Sequence, residues 1–241
     1  MSSFNDFGLS SAMRSNLDQL GFAQPTEIQA KALAPGLAGK DIIAMAKTGS
    51  GKTAAFGISL VEKLNPPLFA VQALVLCPTR ELADQVAKAI RELARARDNI
   101  KVLTLCGGVA IGPQIGSLSH GAHIVVGTPG RIQDHLRKQT LSLARLKTVV
   151  LDEADRMLDM GFQEAMEDIL SHTPSSRQTM MFSATWPAPI RELSKQYQKS
   201  PVDVRAEEAG ENPDIEELFY EVSPQSKSDA IVALLSERQP E

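Results

Sequence analysis

The sequence predicts an α/β fold in which a mostly parallel sheet carries helices on both faces. Short apolar runs alternate along the chain with segments whose apolar residues recur at helical spacing, as strand–helix repeats do. The runs are continuously apolar rather than alternating, which strands covered on both faces require. A glycine-rich segment follows one run and an acidic cluster follows another, and ligands of such sheets sit at the carboxyl ends of the strands.

Residues 10–20 and 26–37 read as helices ahead of the sheet. Residues 41–46 form an apolar strand and 52–64 the helix after it. The strand at 73–76 leads into a helix at 80–95. Further strands are expected at 101–105, 123–126, 147–151 and 178–182, and helices at 130–137, 162–170 and 188–197. The acidic stretch 206–213, with its Pro and Gly, has linker composition. Beyond it, 218–222 reads as a strand and 226–238 as a helix. One strand and one helix cannot make a core of their own. The expected layout is therefore N-terminal helices at 1–38, a sheet domain at 39–205, a linker at 206–214, and the truncated start of a second domain at 215–241.

A chain of 241 residues can bury one full α/β core. No apolar run approaches the roughly 20 residues of a membrane helix. The start, Met1-Ser2-Ser3-Phe4-Asn5-Asp6, lacks the basic and apolar regions of a signal peptide. Cys77 and Cys106 match no metal or redox spacing and read as reduced core thiols of a cytoplasmic protein. The net charge of −4 hides an asymmetry: residues 78–150 hold 11 basic and 5 acidic side chains, whereas 151–241 hold 8 and 19. The middle third can face phosphates and the last third cannot. Within that third, Lys88, Arg91, Arg95 and Arg97 read as a solvated helix face. His120 and His123 lack a supporting ligand cluster. Met157, Met160, Met166, Met180, Met181 and Trp186 read as packing residues.

Ala46-Lys47-Thr48-Gly49-Ser50-Gly51-Lys52-Thr53 reads as a phosphate-cradling loop. Gly49 and Gly51 let backbone N–H groups turn toward phosphate oxygens, and the helix starting near Lys52 adds its N-terminal partial charge. Lys52 can reach β- and γ-phosphates and the Thr53 hydroxyl can ligate Mg²⁺. The usual pattern opens with Gly, where this chain has Ala46. In Asp152-Glu153-Ala154-Asp155, after the run 148–151, Asp152 can hold Mg²⁺ directly or through water. Glu153 is placed to orient or deprotonate an attacking water. The two segments together indicate nucleoside triphosphate hydrolysis.

The letters Asp-Glu-Ala-Asp at 152–155 resemble the DEAD-box family of ATP-dependent RNA helicases, and the resemblance extends over nearly the whole chain. Phe4, Gly21-Phe22, Pro25-Thr26 and Ile28-Gln29 look like that family's adenine-reading motif. Pro78-Thr79-Arg80-Glu81-Leu82-Ala83, Gly107-Gly108 and Thr128-Pro129-Gly130-Arg131 look like its RNA-backbone motifs. Ser183-Ala184-Thr185 looks like the motif that couples ATP to RNA. The stretches 73–78 and 155–162 are similar to bacterial DbpA-type members.

The resemblance implies a RecA-like domain with ATP and Mg²⁺ at 46–53, RNA held by its backbone, and a second RecA-like domain supplying arginines opposite the nucleotide. It implies adenine contacts from Phe4, Phe22, Thr26 and Gln29. The Gln29 carboxamide can accept from adenine N6 and donate to N7, although Thr26 and Gln29 also have capping-box spacing. Phe4 can pack on the base or staple the N-terminal arm. Arg131 can contact phosphate or pair with a nearby acid. Asp155, Ser183 and Thr185 are expected to form a hydrogen-bond relay. By analogy with DbpA-type members the RNA is ribosomal and the setting ribosome assembly. The whole protein is read as a monomer without membrane contact, and residues 215–241 as able to dock on the preceding domain or a second copy. Two rivals are a different motor such as a DNA translocase, against which Gln29 and the motif at 128–131 argue, and a non-catalytic RNA clamp, against which Lys52, Asp152 and Glu153 argue.

Overall fold

The structure is a computed structural model describing residues 3–47, 49–206, 218–223 and 226–238. Among the described residues seven strands build one sheet: β1 (Ile42–Met45), β2 (Ala73–Leu76), β3 (Val102–Leu105), β4 (Ile124–Gly127), β5 (Thr148–Leu151), β6 (Gln178–Ser183) and β7 (Val202–Arg205). Their order is β3-β4-β2-β5-β6-β1-β7 and every pairing is parallel. The helices are α1 (Ser11–Gln19), α2 (Glu27–Leu37), α3 (Lys52–Glu62), α4 (Arg80–Ala94), α5 (Gly112–Ser119), α6 (Pro129–Arg137), α7 (Ala154–Asp159), α8 (Gln163–Ser171) and α9 (Ala188–Tyr197).

The continuous apolar runs split between two cores. In β2, Ala73 and Val75 face one core while Leu74 and Leu76 face the other, and in β6 Met180 and Phe182 oppose Met181 in the same way. The first core is closed by α1–α4 and the second by α6–α9. Strands this short can be apolar throughout only because each face meets a helix layer. Local signals start the helices: the Ser10 hydroxyl accepts from the Met13 N–H at 3.2 Å, and the Thr79 hydroxyl from the Leu82 N–H at 3.2 Å. Both are N-caps that satisfy donors a helix cannot satisfy itself.

The structure adds a 3₁₀ turn at Phe4–Phe7 and three further elements that periodicity did not indicate. Strand β7 lies on the sheet edge beside β1, with only Val204 of its four residues buried. An edge strand with charged alternate positions lacks the apolar run by which the others were read. Helix α5 opens Gly112-Pro113 and buries none of its residues, so propensity and pattern were both weak there. Helix α7 is only six residues and begins inside the acidic cluster. Of the methionines read as core, Met160 is instead 48% exposed at the end of α7.

The chain divides into units 1–207 and 208–241. The second contains α10 (Lys227–Arg238). The strand expected at 218–222 is not formed; residues 218–223 have irregular backbone, because no neighbouring strand among the described residues takes up their hydrogen bonds. Apart from Ala206, the linker expected at 206–214 lies outside the described residues.

Candidate functional site: two halves of one sheet edge

Apart from the motif at 4–29, which lies on the helices ahead of β1, the motifs fall on the carboxyl edge of the sheet, and the strand order sorts them. The ends of β5, β6 and β1 are neighbours and carry residues 152–155, 183–185 and 46–53. The ends of β2, β4 and β3 are neighbours and carry 78–80, 127–131 and 106–109.

In the first half, the loop after β1 leads into α3. Ala46, where glycine is usual, is buried, and its N–H continues the ladder to the Ser183 carbonyl at 3.1 Å. Lys47 is exposed, and Thr48 lies outside the described residues. Gly49 and Gly51 have φ of +84° and +92°. Gly51 caps α3, and a Cβ there would stand 2.5 Å from Gln29 Nε2. This is the position where glycine is needed for both conformation and space.

Gln29 and Thr26 brace this loop. Gln29 Nε2 donates to the Gly51 carbonyl at 3.1 Å, the Thr26 hydroxyl donates to the Ser50 carbonyl at 2.9 Å, and the Thr26 N–H donates to Gln29 Oε1 at 2.9 Å. Gln29 is 2% exposed and both ends of its carboxamide are engaged, so the capping box is formed. Adenine contact requires the carboxamide to use its remaining hydrogen and lone pair. Phe22, half-buried, lines a pocket of about 220 Å³ with Gln29, Gly51, Thr53 and Ala54. The Phe4 ring is buried and packs edge-on against Phe22 at 6.2 Å, as a staple of the N-terminal arm would.

Lys52 is 6% exposed, and its Nζ has no hydrogen-bond partner; the Ser50 hydroxyl is likewise buried and unpartnered. A buried ammonium without an acceptor costs free energy unless an anion completes it. Across the loop, burial pushes the Asp152 carboxyl up to about 6; the Lys52 charge opposes the rise and Glu153 adds to it. Glu153 adopts the left-handed conformation at φ +51° as N-cap of α7, and its Oε2 lies 3.3 Å from Arg156 Nη1. A non-glycine residue held there is strained, and such strain collects at functional positions.

Register explains the third strand. Leu151 aligns with Met181, so β6 runs two residues past β5 to Ser183. From there the Ser183 hydroxyl accepts the Asp155 N–H at 3.2 Å, and the Thr185 hydroxyl and N–H both donate to Asp155 Oδ2 at 2.8 Å. Burial pushes the Asp155 carboxyl up, but the hydrogen bonds with Thr185, Ser183 and the Arg156 N–H together outweigh it and hold it below the ordinary value. Ala184 is exposed between the two hydroxyl residues.

The second half is built differently. Thr79, after buried Pro78, caps α4, and Arg80 lies across the loop after β3, its Nη1 donating to the Gly107 carbonyl at 3.4 Å. Gly108 has φ +76°, and a Cβ there would collide with Arg80 Nη1 at 1.7 Å. Thr128 and Pro129 are buried at the start of α6, and Gly130 is half-exposed with open space beside it. Arg131 is engaged by the protein itself: its side chain is 10% exposed, with Nη1 donating to Gln114 Oε1 at 2.9 Å, Nη2 to the Val109 carbonyl at 2.8 Å, and Asp134 3.8 Å from Nε, the nearby acid that its sequence context offered. Among the described residues the N–H groups of Gly107, Gly108 and Val109 have no acceptor, and these residues lie at least partly at the surface.

Sequence reasoning missed Gln114. Its Oε1 takes a second donor from His135 Nε2 at 3.0 Å, and its Nε2 donates to the Cys106 carbonyl at 3.0 Å. Its helix was not anticipated, and one glutamine in a glycine-rich stretch gives no signal. Of the basic residues read as a solvated helix face, Lys88 and Arg95 are exposed as expected, but Arg91 and the half-buried Arg97 donate to the carbonyls of Val102 and Leu64, and Arg97 lies past the end of α4. Cys77 and Cys106 are free and buried, and burial raises both thiols. No group of three or more metal-ligating side chains occurs among the described residues, and no described helix is long and apolar enough to cross a membrane.

A parallel α/β domain with a phosphate loop facing an acidic strand end, beside a second surface lined with backbone amides, defines a nucleotide-dependent class. Residues 26–193 match the family described as DEAD/DEAH box helicase, and the chain belongs to that family. It is 53% identical over 229 residues to the ATP-dependent RNA helicase DbpA of Escherichia coli (strain K12), covering 95% of this chain and 50% of that protein. It is 45% identical to the DEAD-box ATP-dependent RNA helicase CshA of Bacillus subtilis (strain 168), covering 99% of this chain and 48% of that protein. A solved DEAD box protein from the hyperthermophile Methanococcus jannaschii superposes with a TM-score of 0.82 at 41% identity, over 97% of this chain and 63% of that one. The fold is that of a RecA-like DEAD-box domain. The chain spans about half the length of the curated relatives it matches.

Proposed function

We propose that this chain is the ATP-binding and RNA-backbone-binding part of an ATP-dependent RNA helicase that remodels structured RNA. The observation that supports it most is the buried, partnerless Lys52 Nζ beside a buried carboxylate held near pKa 6: each charge lacks a full complement until a phosphate and a cation arrive. In this reading Lys52 and the loop amides at 46–53 bind the β- and γ-phosphates, while Phe22, Thr26 and Gln29 border the adenine. The Thr53 hydroxyl and Asp152 carboxylate are the hard oxygen donors suited to Mg²⁺, which takes few protein ligands and keeps waters and phosphate oxygens. When bound, Mg²⁺ neutralises charge on the phosphates. Glu153 orients the attacking water and accepts its proton. The hydrogen bonds that join Asp155 to Ser183 and Thr185 tie the ends of β5 and β6 together and serve as the coupling relay of this reading.

RNA lies along the other half, on the amides of Gly107 and Gly108 and the Thr79, Arg80 and 128–130 surface, with Arg131 behind. Such contacts read sugar and phosphate rather than base identity. The finer reading of ribosomal RNA in cytoplasmic ribosome assembly rests on the likeness to DbpA-type sequences alone. Residues 1–38 serve as the adenine-side helices, 39–205 as the RecA-like domain and 206–214 as a linker. Residues 215–241 serve as the start of a second RecA-like domain; Phe219 and Val232 there are exposed, which also supports self-association of this chain.

The test is titration with a fluorescent ATP analogue and with single-stranded RNA. Mg²⁺-dependent nucleotide binding that prefers ATP to GTP is expected, with little RNA-stimulated turnover, because in-line transfer needs cations opposite Lys52 that a second domain would supply. Turnover at the rate of a two-domain helicase would overturn that division of labour, and absence of nucleotide binding would overturn the reading itself.

A further inference from the structure

Three side chains converge on the loop after β3, and each spends a donor on one of its carbonyls: Gln114 Nε2 on Cys106, Arg80 Nη1 on Gly107 and Arg131 Nη2 on Val109. Three carbonyls of this loop are therefore taken up by side chains, while the amides of Gly107, Gly108 and Val109 are left without acceptors among the described residues. Resting on the RNA-backbone reading above, we propose that Gln114 is the positioning residue of this surface. It touches no nucleic acid itself, but shapes the amide-lined loop and aims Arg131.

The demands at this point select a carboxamide. One oxygen must accept two donors, Arg131 Nη1 at 2.9 Å and His135 Nε2 at 3.0 Å, while the other end must donate to the Cys106 carbonyl at 3.0 Å. A carboxylate has no hydrogen for that carbonyl, and an ammonium has no lone pair for the two donors. Those bonds also fix which way the amide faces. Burial, seconded by the Arg131 charge, pushes the His135 imidazole down, so it stays neutral with Nε2–H pointing at Gln114 and Nδ1 on the Thr140 hydroxyl, 2.8 Å away. Gln114 thus ties α6, at the end of β4, to the loop at the end of β3. Without it, Arg131 keeps Val109 and the distant Asp134 but loses its orienting partner.

The experiment is a double-mutant cycle on this chain, comparing the unaltered protein with Gln114→Met, Arg131→Met and the pair. Dissociation constants are measured for an oligouridylate at low salt and for the fluorescent ATP analogue with Mg²⁺. Each single change is expected to weaken RNA binding about tenfold, the scale of one lost hydrogen bond to a charged group. The pair should do no worse than either alone, since the two residues act as a unit, and nucleotide affinity should not move. Gln114→Glu, which keeps the doubly accepting oxygen and loses only the donor, should fall between and serves if Gln114→Met does not fold. Unchanged RNA affinity in the Gln114 variants, or additive losses in the pair, would overturn the proposal. Loss of nucleotide affinity in step with RNA affinity would show a general structural role and overturn it too. If the unaltered chain binds ATP but not RNA, the RNA reading fails first and this inference with it.

Discussion

The two halves of the sheet edge use charge in opposite ways. In the β5-β6-β1 half the charged groups are buried and left incomplete: Lys52 Nζ has no partner, and the Asp152 carboxyl is raised by its burial. In the β2-β4-β3 half Arg80 and Arg131 donate to the protein's own carbonyls, and the amides of Gly107, Gly108 and Val109 have no acceptor among the described residues. A site for a highly charged phosphate chain and a cation gains from pre-placed charges that water cannot screen. A site that grips any sequence needs only a backbone held in shape. Arginine there is scaffold as much as ligand.

The sharpest way to break this comparison is Lys52→Met. Nucleotide affinity should fall by about 100-fold or more, as expected for loss of charge-assisted hydrogen bonds worth ~1.5–3 kcal/mol each, while RNA affinity stays. Because the buried ammonium is unpartnered, thermal melting should show no loss of stability. A variant that melts well below the parent would show that Lys52 is a structural group.

A paired substitution sharpens it further. Gly51→Ala forces a Cβ into left-handed backbone 2.5 Å from Gln29 Nε2, inside a brace with little room. A loss of about 2–3 kcal/mol in urea unfolding is expected, from the strained conformation and the broken Gln29 bond, together with weak nucleotide binding. In Gly108→Ala the nearest atom is the tip of Arg80, which can swing away. The cost should be about 1–2 kcal/mol, that of the conformation alone, with RNA binding weakened and nucleotide binding spared. Equal costs would mean that the two loops are equally rigid.

Asp152→Asn tests the raised carboxyl. With its pKa lifted to about 6 from 3.8, the folded state holds a proton that the unfolded chain has already released. Stability therefore falls as pH rises through that window and stays lower above it. Asparagine removes the penalty, so the variant should be more stable at pH 7 by about 3 kcal/mol, with a flatter profile between those values, and should lose Mg²⁺-dependent nucleotide binding. Unfolding curves across pH with an unchanged slope would contradict the assignment.

The smallest effect belongs to Thr185→Val. Removing one hydroxyl donor to Asp155 should cost about 1 kcal/mol at neutral pH. Asp155 is held below its ordinary value, so this contribution is present above that value and disappears as pH falls through the folded-state pKa. The difference between parent and variant should shrink in acid, as measured by urea unfolding at several pH values.

Much of this edge was legible in advance. The apolar runs at 42–45, 73–76, 124–127 and 148–151 were readable because both faces of each strand are covered. That a glycine-rich loop follows β1 and an acidic cluster follows β5 was readable because each directly follows an apolar run. Strand β7 was not, since an edge strand with one buried residue carries no apolar run, and α5 was not, since it buries nothing. The contacts of Phe4 and Arg131 were open in the sequence, and packing set them against Phe22 and against Gln114 and the Val109 carbonyl.

By itself the sequence determined the layered parallel sheet, the phosphate loop, the acidic strand end and the family, because periodicity and local chemistry are written in neighbouring residues. Only the tertiary structure decided that the motifs divide into two halves by strand order, that Gln29 is held between Thr26 and Gly51, and that Gln114 joins three segments of the second half. Those relations depend on which strands lie side by side and how far each extends, and neither distance nor register is encoded in any one stretch of the chain.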